Sequence, residues 1–501
     1  MLLVHPVRET ARALPALLGL LIAGTSSGAG QFWVLAGVVA VVGFSVLRWF
    51  TTRFRITPEQ VQLRTGMLRR RSLATPADRV RSVDVTASAL HRLLGLAQVQ
   101  IGTGDKDGGL VLDSLTAAEA ARLRAELLHR AGQARAVDSP AKVRVMEAAS
   151  AGASAGSSAG EPAEEVLLRF DPAWVRFAPF TTTGLVTAVA VLGAGWQLID
   201  QVVQDDQEIG VLRSVGGRVL QTDVWLAVLV GAVGLAVFVT LLAVGGYVLS
   251  YWGFRLTRHV GGTLHTARGL LTTRATSLEE RRLRGVELND TLLLRAVHGA
   301  RLEAVTTGLS SRASQESSKV LVPPAPVEVA RLVGAAVLGQ AEPLRVPLLR
   351  HGPGARRRRY VRALVSLLLP AVAVGLLVRQ GLPAWLWVVP VVLVGPMVLL
   401  AADRYRSLGH ALTDRFLVSQ AGSLGRSRAV LATDGIIGWN LNESFFQRRA
   451  GLATLVATTA AGDQAYPVTD VPAREAVRLA RAATPGLLDQ FLEQDPDRSL
   501  R

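Results

Sequence analysis

Three stretches of the chain repeat one pattern at constant spacing. Within LHRLLGLAQVQIGTG, LLRAVHGARLEAVTT and FQRRAGLATLVATTA the same arginine recurs: Arg92, Arg295 and Arg448. At an equal distance before each arginine lies a glycine: Gly66, Gly269 and Gly422. Repetition at fixed spacing is typical of a chain built from copies of one unit, so the sequence predicts three similar domains rather than one large fold.

Each copy has the pattern of a small antiparallel β unit. In RFRITPEQVQLRTGMLRRRSLA, residues 53–74, apolar and polar residues alternate on both sides of a turn that contains glycine. Val99 and Ile101 likewise alternate with glutamines, as in a half-buried strand. Thr116 and Glu119 have the spacing of a capping box, which predicts that a helix closes the unit.

Long apolar runs separate the β units. A helix needs about 20 apolar residues to cross a bilayer. The runs predict six membrane spans in three pairs: 11–24, 31–48, 177–199, 224–254, 363–378 and 380–402. Mean hydropathy is +0.32, which is high for a soluble chain. The alternative interpretation is a set of buried helices in a large soluble core.

Arginine lies mainly at one end of each predicted pair. The net charge is +16, and the arginines collect before the first and after the second span of each pair. Basic residues favour the cytoplasmic side of a membrane protein. The sequence therefore predicts a multi-pass protein of the bacterial plasma membrane, with both termini and all three β units in the cytoplasm.

This pattern divides the chain into nine segments. Three are transmembrane hairpins, three are β domains, and the rest are linkers or a tail. In chain order they are hairpin 1 (1–50), domain 1 (51–132), an Ala/Gly/Ser linker (133–165), hairpin 2 (166–250), domain 2 (251–340), a basic linker (341–360), hairpin 3 (361–402), domain 3 (403–485) and a C-terminal tail (486–501).

A short signature within the repeat resembles a known family. Copies one and three contain S-x-x-x-R-x-x-G-L-A, with the matching residues Ser88, Arg92, Gly95, Ser444, Arg448 and Gly451. Copy two departs from it at Thr291 and His298. The chain resembles the bacterial pleckstrin-homology-like (PH-like) "membrane-flanked domain" family in its three-copy form. The resemblance implies a small antiparallel PH-like barrel in each copy, closed by a C-terminal helix, at the cytoplasmic face of the membrane.

The recurring signature has two interpretations. In the first, Arg92 and its counterparts lie at a strand corner and bind backbone carbonyls or a nearby acid such as Asp84, while the glycine permits a tight bend. In the second, these arginines face lipid head groups. The first is favoured because a motif kept in divergent copies usually reports the fold. The residues assigned to this structural role are Gly66, Arg92, Gly95, Gly269, Arg295, Gly422, Arg448 and Gly451.

No pattern in the sequence predicts catalysis. The chain has no cysteine, which excludes thiolate metal sites and cysteine nucleophiles. Its eight histidines show no ligand spacing, and His351 and His410 stand alone near the ends of spans. We therefore expect no enzyme activity, no cofactor and no metal. The basic residues lie close to span ends without an aromatic platform, so we expect no nucleic-acid partner.

Two arginine clusters are the candidate sites. Arg69, Arg70 and Arg71 form one, and Arg356, Arg357, Arg358 and Arg359 form the other. Each arginine near a membrane surface attracts anionic lipid by about 1 kcal/mol. The same residues also serve to set topology, and the two roles are compatible.

The sequence thus indicates a non-enzymatic membrane protein. Its PH-like domains would bind anionic lipid head groups or a partner, either a second membrane protein or another copy of the chain, and so organise or protect the envelope. The family resemblance adds a role in tolerance of membrane-active peptides. The alternative is a transporter or channel subunit, although no ionisable residue lies in the middle of a predicted span.

Overall fold

The computed structural model describes most of copies two and three and part of copy one. The described residues are 53–56, 60–65, 71–76, 82–102, 110–120, 122–123, 164–181, 193, 224–259, 262–307 and 319–488. The first two predicted spans, most of the third, nearly all of the Ala/Gly/Ser linker, and Gly66 lie outside them.

Copy one forms two groups of three strands. The elements are β1 (Arg53–Ile56), β2 (Gln60–Thr65), β3 (Arg71–Pro76), β4 (Ser82–Ala87), α1 (Ala89–Leu93), β5 (Leu96–Gly102) and β6 (Leu110–Thr116). Strands β1, β2 and β3 pair in that order as an antiparallel meander. Val99 and Ile101 are fully buried, as their alternation predicts, and the helical residues 117–120 follow β6.

Copy two has the same order of elements after one apolar helix. The elements are β7 (Glu165–Arg169), a 3-10 helix (Pro172–Phe180), α2 (Val224–Tyr251), β8 (Arg255–His259), β9 (Thr263–Arg268), β10 (Thr273–Glu279), β11 (Leu283–Thr291), α3 (Leu292–Ala296), β12 (Gly299–Thr306), β13 (Val320–Pro326) and α4 (Val327–Leu338). Phe177 is buried within the 3-10 helix, where the sequence predicts the start of a membrane span.

Copy three completes the repeat. The elements are α5 (Glu342–Arg345), α6 (Gly352–Ser366), α7 (Leu368–Arg379), a 3-10 helix (Ala384–Trp387), α8 (Val388–Arg406), β14 (Gly409–Leu412), β15 (Phe416–Gly422), β16 (Gly425–Ala432), β17 (Ile436–Asn442), α9 (Phe445–Arg449), β18 (Leu452–Thr459), β19 (Ala465–Pro472) and α10 (Ala473–Ala483). The predicted basic linker 341–360 is thus largely helical, because residues 352–360 begin α6.

Strand pairing crosses the boundaries between copies. One sheet contains the run β6-β5-β4-β10-β9-β8, which joins copy one to copy two. A second sheet has the order β13-β12-β11-β16-β15-β14, which joins copy two to copy three. The last three strands form a separate sheet in the order β17-β18-β19. The described sheets are open, so a closed barrel in each copy is not confirmed.

The chain divides into two compact units at the middle of copy two. Residues 257–278 group with copy one, whereas residues 279–307 and 319–501 group together with 166–256. The junction β4–β10 therefore lies within the first unit, and the junction β11–β16 lies within the second.

The repeat signature forms a short capped helix before the fifth strand of each copy. At its start, the hydroxyl oxygens of Ser88, Thr291 and Ser444 each accept a hydrogen bond from the backbone N–H three residues later, at 3.3, 3.2 and 3.3 Å. Such side chains satisfy N–H groups that the first turn leaves unpaired. Thr291 therefore replaces serine without loss of the cap.

The helix ends at one left-handed residue. Gly95, His298 and Gly451 have φ of 66°, 57° and 64°. Their carbonyl oxygens accept hydrogen bonds from Ala117, Val327 and Ala473, the residues at which the closing helices begin, at 2.9, 2.9 and 3.1 Å. The signature therefore joins the short helix to the closing helix, and histidine tolerates the conformation where copy two lacks glycine.

Three helical segments are long and apolar enough to cross a membrane. They are Leu229–Tyr251, Gly352–Arg379 and Ala384–Arg406, and at most 11% of each apolar window is buried by the rest of the protein. The second segment breaks between α6 and α7 at Leu367. Pro370 explains the break, because proline lacks the N–H that would continue the helical hydrogen bonds. Six spans in three pairs are not confirmed, since half of the predicted spans lie largely or wholly outside the described residues.

Gly269 and Gly422 occupy equivalent tight turns, and the second offers a test of the fold. Gly422 has φ of 109°, and a Cβ there would lie 2.0 Å from the carbonyl oxygen of Gly425. We expect Gly422→Ala to lower stability by about 1–3 kcal/mol, because the left-handed backbone must shift. Thermal unfolding in detergent measures the effect. Gly425→Ala is the control, since no atom lies within 4 Å of its Cβ position; equal loss in both variants would contradict the turn assignment.

Candidate functional site

The second arginine cluster lies on the first turns of α6, where two of its arginines are exposed to solvent and two are partly buried. Arg356 and Arg357 are exposed, whereas Arg358 and Arg359 are partly buried against copy three. Of the first cluster, Arg69 and Arg70 lie outside the described residues, and Arg71 is described only as the backbone that begins β3. The structure therefore informs the second cluster alone.

A buried carboxylate holds the partly buried arginines. Asp470 on β19 has no exposed surface, and it forms ion pairs with Arg358 and Arg359, the latter at 2.9 Å between Nη2 and Oδ2. Gln447 Nε2 also donates a hydrogen bond to Asp470 Oδ1 at 2.8 Å. Asp470 has φ of 56°, a left-handed conformation that aspartate tolerates better than most residues. One buried anion thus joins α6 to the β domain of copy three.

The signature helix α9 belongs to the same network. Ser444 and Gln447 form a capping box at its start, and Gln447 also contacts Asp470. Arg358 Nη2 donates to Ser444 Oγ at 3.3 Å. Because buried charges are stable only when they are paired and hydrogen-bonded, this network fixes the start of α6 against the domain.

The exposed arginines form a second group around the same helix ends. Helices α6 and α8 pack against each other, and Arg359 and Arg404 are close enough to interact electrostatically. We name the exposed set the arginine collar: Arg356, Arg357, Arg362, Arg404 and Arg406. No member of the collar forms an ion pair with a described residue, so its charge is available to solvent or to a membrane surface.

At the other end of this helical hairpin, the connection between α7 and α8 is rich in tryptophan. Trp385 and Trp387 lie in the connection between α7 and α8 and are 65% and 44% exposed. Tryptophan is enriched at the interface between membrane and water, and arginine at cytoplasmic ends. The two helices thus have the polarity of a membrane hairpin.

The signature arginines do not belong to the collar. Arg92 Nη1 donates to the backbone carbonyl of Leu270 at 2.6 Å, in the β9–β10 turn. Arg295 forms an ion pair with Asp403 at 2.7 Å. Both contacts therefore reach from one copy to the next. Arg448 in the last copy is exposed.

Two histidines that stand alone in the sequence form a buried pair. His351 Nδ1 donates to the carbonyl of Thr469 at 2.8 Å, so its Nε2 accepts the bond from His410 Nδ1 at 2.9 Å. Burial, followed by the charge of His410, lowers the pKa of His351 to about 4, and burial also lowers the pKa of His410. The pair is neutral at neutral pH and structural. Sequence spacing did not reveal it because the two residues are far apart in the chain.

A cavity of about 500 Å³ lies beside the C-terminal end of α2, within the second unit. Its charged lining is already paired: Arg426 contacts Asp290 at 2.9 and 2.5 Å, and Arg301 contacts Glu303 at 2.9 Å. Burial raises the pKa of Glu303, which favours its neutral form. Because its cations already have anionic partners, this cavity is a weaker candidate for an anionic ligand than the collar.

Removal of the buried anion tests the network. Asp470→Asn keeps the shape and the left-handed backbone but leaves two arginines without a counter-charge. We expect it to destabilise the protein by about 3–5 kcal/mol, measured by thermal unfolding. The control is Asp434→Asn, because Asp434 and its partner Arg284 are 69% and 36% exposed and a surface pair contributes about 0–1 kcal/mol. Similar small effects in both variants would show that Asp470 does not hold α6.

The histidine pair predicts loss of stability in acid. The folded pKa of His351 lies below its unfolded value of about 6.5, so the unfolded state binds more protons between those values. The contribution of His351 to the free energy of unfolding is thus fully present above about pH 6.5. It falls by roughly 3 kcal/mol as the pH drops to about 4. Thermal unfolding between pH 7 and pH 4 measures the slope. The double variant His351→Gln, His410→Gln should flatten it; an unchanged slope would assign the acid sensitivity to other groups.

Comparison with known proteins agrees with this architecture. The family model of the bacterial PH domain matches residues 11–131 and 364–484, each range running from a predicted span to a closing helix. Searches of curated proteins and of solved structures found no match. Neither range includes copy two, whose signature departs at Thr291 and His298. The two matches show that the chain contains a repeated bacterial PH domain, at residues 11–131 and again at residues 364–484.

Proposed function

We propose that this protein is a non-enzymatic membrane protein whose arginine collar binds anionic lipid head groups. The observation that carries the proposal is the position of the collar: three of its exposed arginines lie on α6 and two lie at the end of α8, which packs against α6, and none forms an ion pair with a described residue. Each arginine adds about 1 kcal/mol of attraction near an anionic surface, and its planar guanidinium binds phosphate in a bidentate manner.

The proposal includes a topology. All six predicted spans cross the plasma membrane in three pairs, with the termini and the PH-like domains in the cytoplasm. The apolar surfaces of the three described segments support it, since a bilayer would cover them. The distribution of arginine supports the orientation. The PH-like domains then lie against the inner leaflet, where anionic lipids produce a negative potential.

At the cellular level, the domains organise or protect the envelope. This protection includes tolerance of membrane-active peptides. Transport is the alternative, but the charged residues of the described apolar segments lie within the first eleven residues of Gly352–Arg379, at its last residue, and within the last four residues of Ala384–Arg406. An ion pathway usually needs ionisable groups within the membrane. The geometry therefore favours an anchor and lipid-binding role over transport.

Lipid retention tests the collar. The full chain, purified in mild neutral detergent, is titrated with phosphatidylglycerol or phosphatidylcholine, and bound lipids are counted by native mass spectrometry. We expect Arg356→Gln with Arg357→Gln to weaken phosphatidylglycerol binding at low salt about tenfold or more, because each arginine contributes about 1 kcal/mol. The difference should shrink as salt rises, because exposed charges are screened.

The control removes equal charge from another surface. Arg474→Gln with Arg478→Gln changes two exposed arginines of α10 and should leave lipid binding unchanged. Arg356→Lys with Arg357→Lys should retain part of the affinity as point charges. Equal loss from the collar and from α10 would show that binding follows net charge rather than this site, and no loss from either would refute the proposal.

A further inference from the structure

Strand β17 of copy three presents an open edge, whereas its two counterparts do not. In copy one the equivalent strand β4 pairs with β10, and in copy two the equivalent strand β11 pairs with β16. In copy three, β17 pairs with β18 on one side and with no described strand on the other. An open edge carries unpaired N–H and C=O groups and is a template for another strand.

The two internal junctions have the same register. In the first, Val83 pairs with Ser277 and Val85 with Ala275. In the second, the residues at the equivalent repeat positions pair in the same way: Val286 with Val430, and Leu288 with Arg428. A register that two divergent copies share is a property of the repeat itself, because a slip of one residue would turn every side chain to the other face.

Side-chain exposure shows what the missing strand would cover. Leu288 on β11 is 5% exposed at the junction with copy three. Its counterpart on β17 is Leu441, which is 44% exposed, and Ile437 on the same strand is 65% exposed. The strand IIGWNLN also lacks the charge or proline with which open edges are usually protected.

The complementary edge belongs to copy one. Strand β3 is the counterpart of β10 and β16, the strands that cover β4 and β11. It pairs with β2 on one side and with no described strand on the other. The chain thus has a donor edge in its first copy and an acceptor edge in its last, each formed by the repeat for a partner that the described residues do not supply.

We propose that strand β3 of a second copy of this chain pairs with β17 in the register of the internal junctions. That register places Trp439 opposite Ala74, Leu441 opposite Ser72 and Asn442 opposite Arg71 of the second copy.

Such an interface joins chains head to tail. The surfaces on the two partners differ, so each added chain leaves another open β17 and another open β3. The assembly therefore extends through the cytoplasmic domains while the apolar helices keep every chain in one membrane. The inference requires membrane association but not lipid binding by the collar, and its test is independent of the lipid assay.

Disulfide trapping tests the register in a chain that has no natural cysteine. Two differently tagged full-length forms, one with Leu441→Cys and the other with Ser72→Cys, are co-expressed, and isolated membranes are oxidised mildly. Directly opposite residues lie about 4.5–5.5 Å apart at Cα, within the range that a disulfide spans. We expect a mixed dimer carrying both tags, at least tenfold more abundant than with Leu73→Cys in place of Ser72→Cys, because successive residues of a β-strand point to opposite faces.

Each other outcome overturns the proposal. Thermal unfolding first verifies that the variants are folded. Equal cross-linking with Ser72→Cys and Leu73→Cys would refute the register, a Leu441→Cys homodimer alone would indicate a symmetric interface, and no cross-link in folded protein would refute pairing. A chain that carries both Leu441→Cys and Ser72→Cys should give a ladder of oligomers. A cross-linked monomer would instead show that the chain closes its own edge.

Discussion

Backbone hydrogen bonding at strand edges is the constraint on which this architecture depends. Strands β4, β11 and β17 hold equivalent places in the three copies, and the outer N–H and C=O groups of each need partners. For β4 and β11, the third strand of the next copy supplies them. The sheet edges are thus satisfied between domains rather than by closure within one domain. Side chains follow the backbone, since Leu288 is only 5% exposed on the strand that pairs with the next copy. The repeat is consequently an assembly unit, and a single copy would leave one edge of each kind open.

The second constraint is a buried charge. Asp470 connects the last β domain to the start of an apolar helix, and its partners come from α6 and from the signature helix α9. Because a buried anion is costly without its cations, the Asp470 ion pairs fix the position of α6 relative to the β domain of copy three. This contact also divides the role of the arginine cluster. Arg358 and Arg359 serve the fold, so attraction to lipid falls to the members of the arginine collar.

The sequence predicts the local features of this protein well because they depend on neighbouring residues. The alternation around Val99 and Ile101 reports a half-buried strand, and Gly269 and Gly422 report turns with positive φ. Pairing between copies was not predictable, since alternation shows which face is buried but not which edge a strand meets. His351 and His410, like Asp470 and its arginines, meet through the fold, and no spacing rule connects them. The helical start of α6 does have a signal, because Pro353 suits a first helical turn, but the run of arginines and the flanking glycines favour a linker at this place.

These observations explain why the copies can diverge while their junctions persist. Copy two replaces the signature serine by Thr291 and the glycine by His298, yet the cap and the left-handed turn are both retained. Arg92 and Arg295 bind different groups, a carbonyl and a carboxylate, but each reaches the following copy. The feature that the copies share is therefore the position of the short capped helix and of the edge strand, which both contact the following copy in copies one and two. Copy three retains the capped helix α9 and the left-handed turn at Gly451, while Arg448 is exposed and the outer edge of β17 pairs with no described strand.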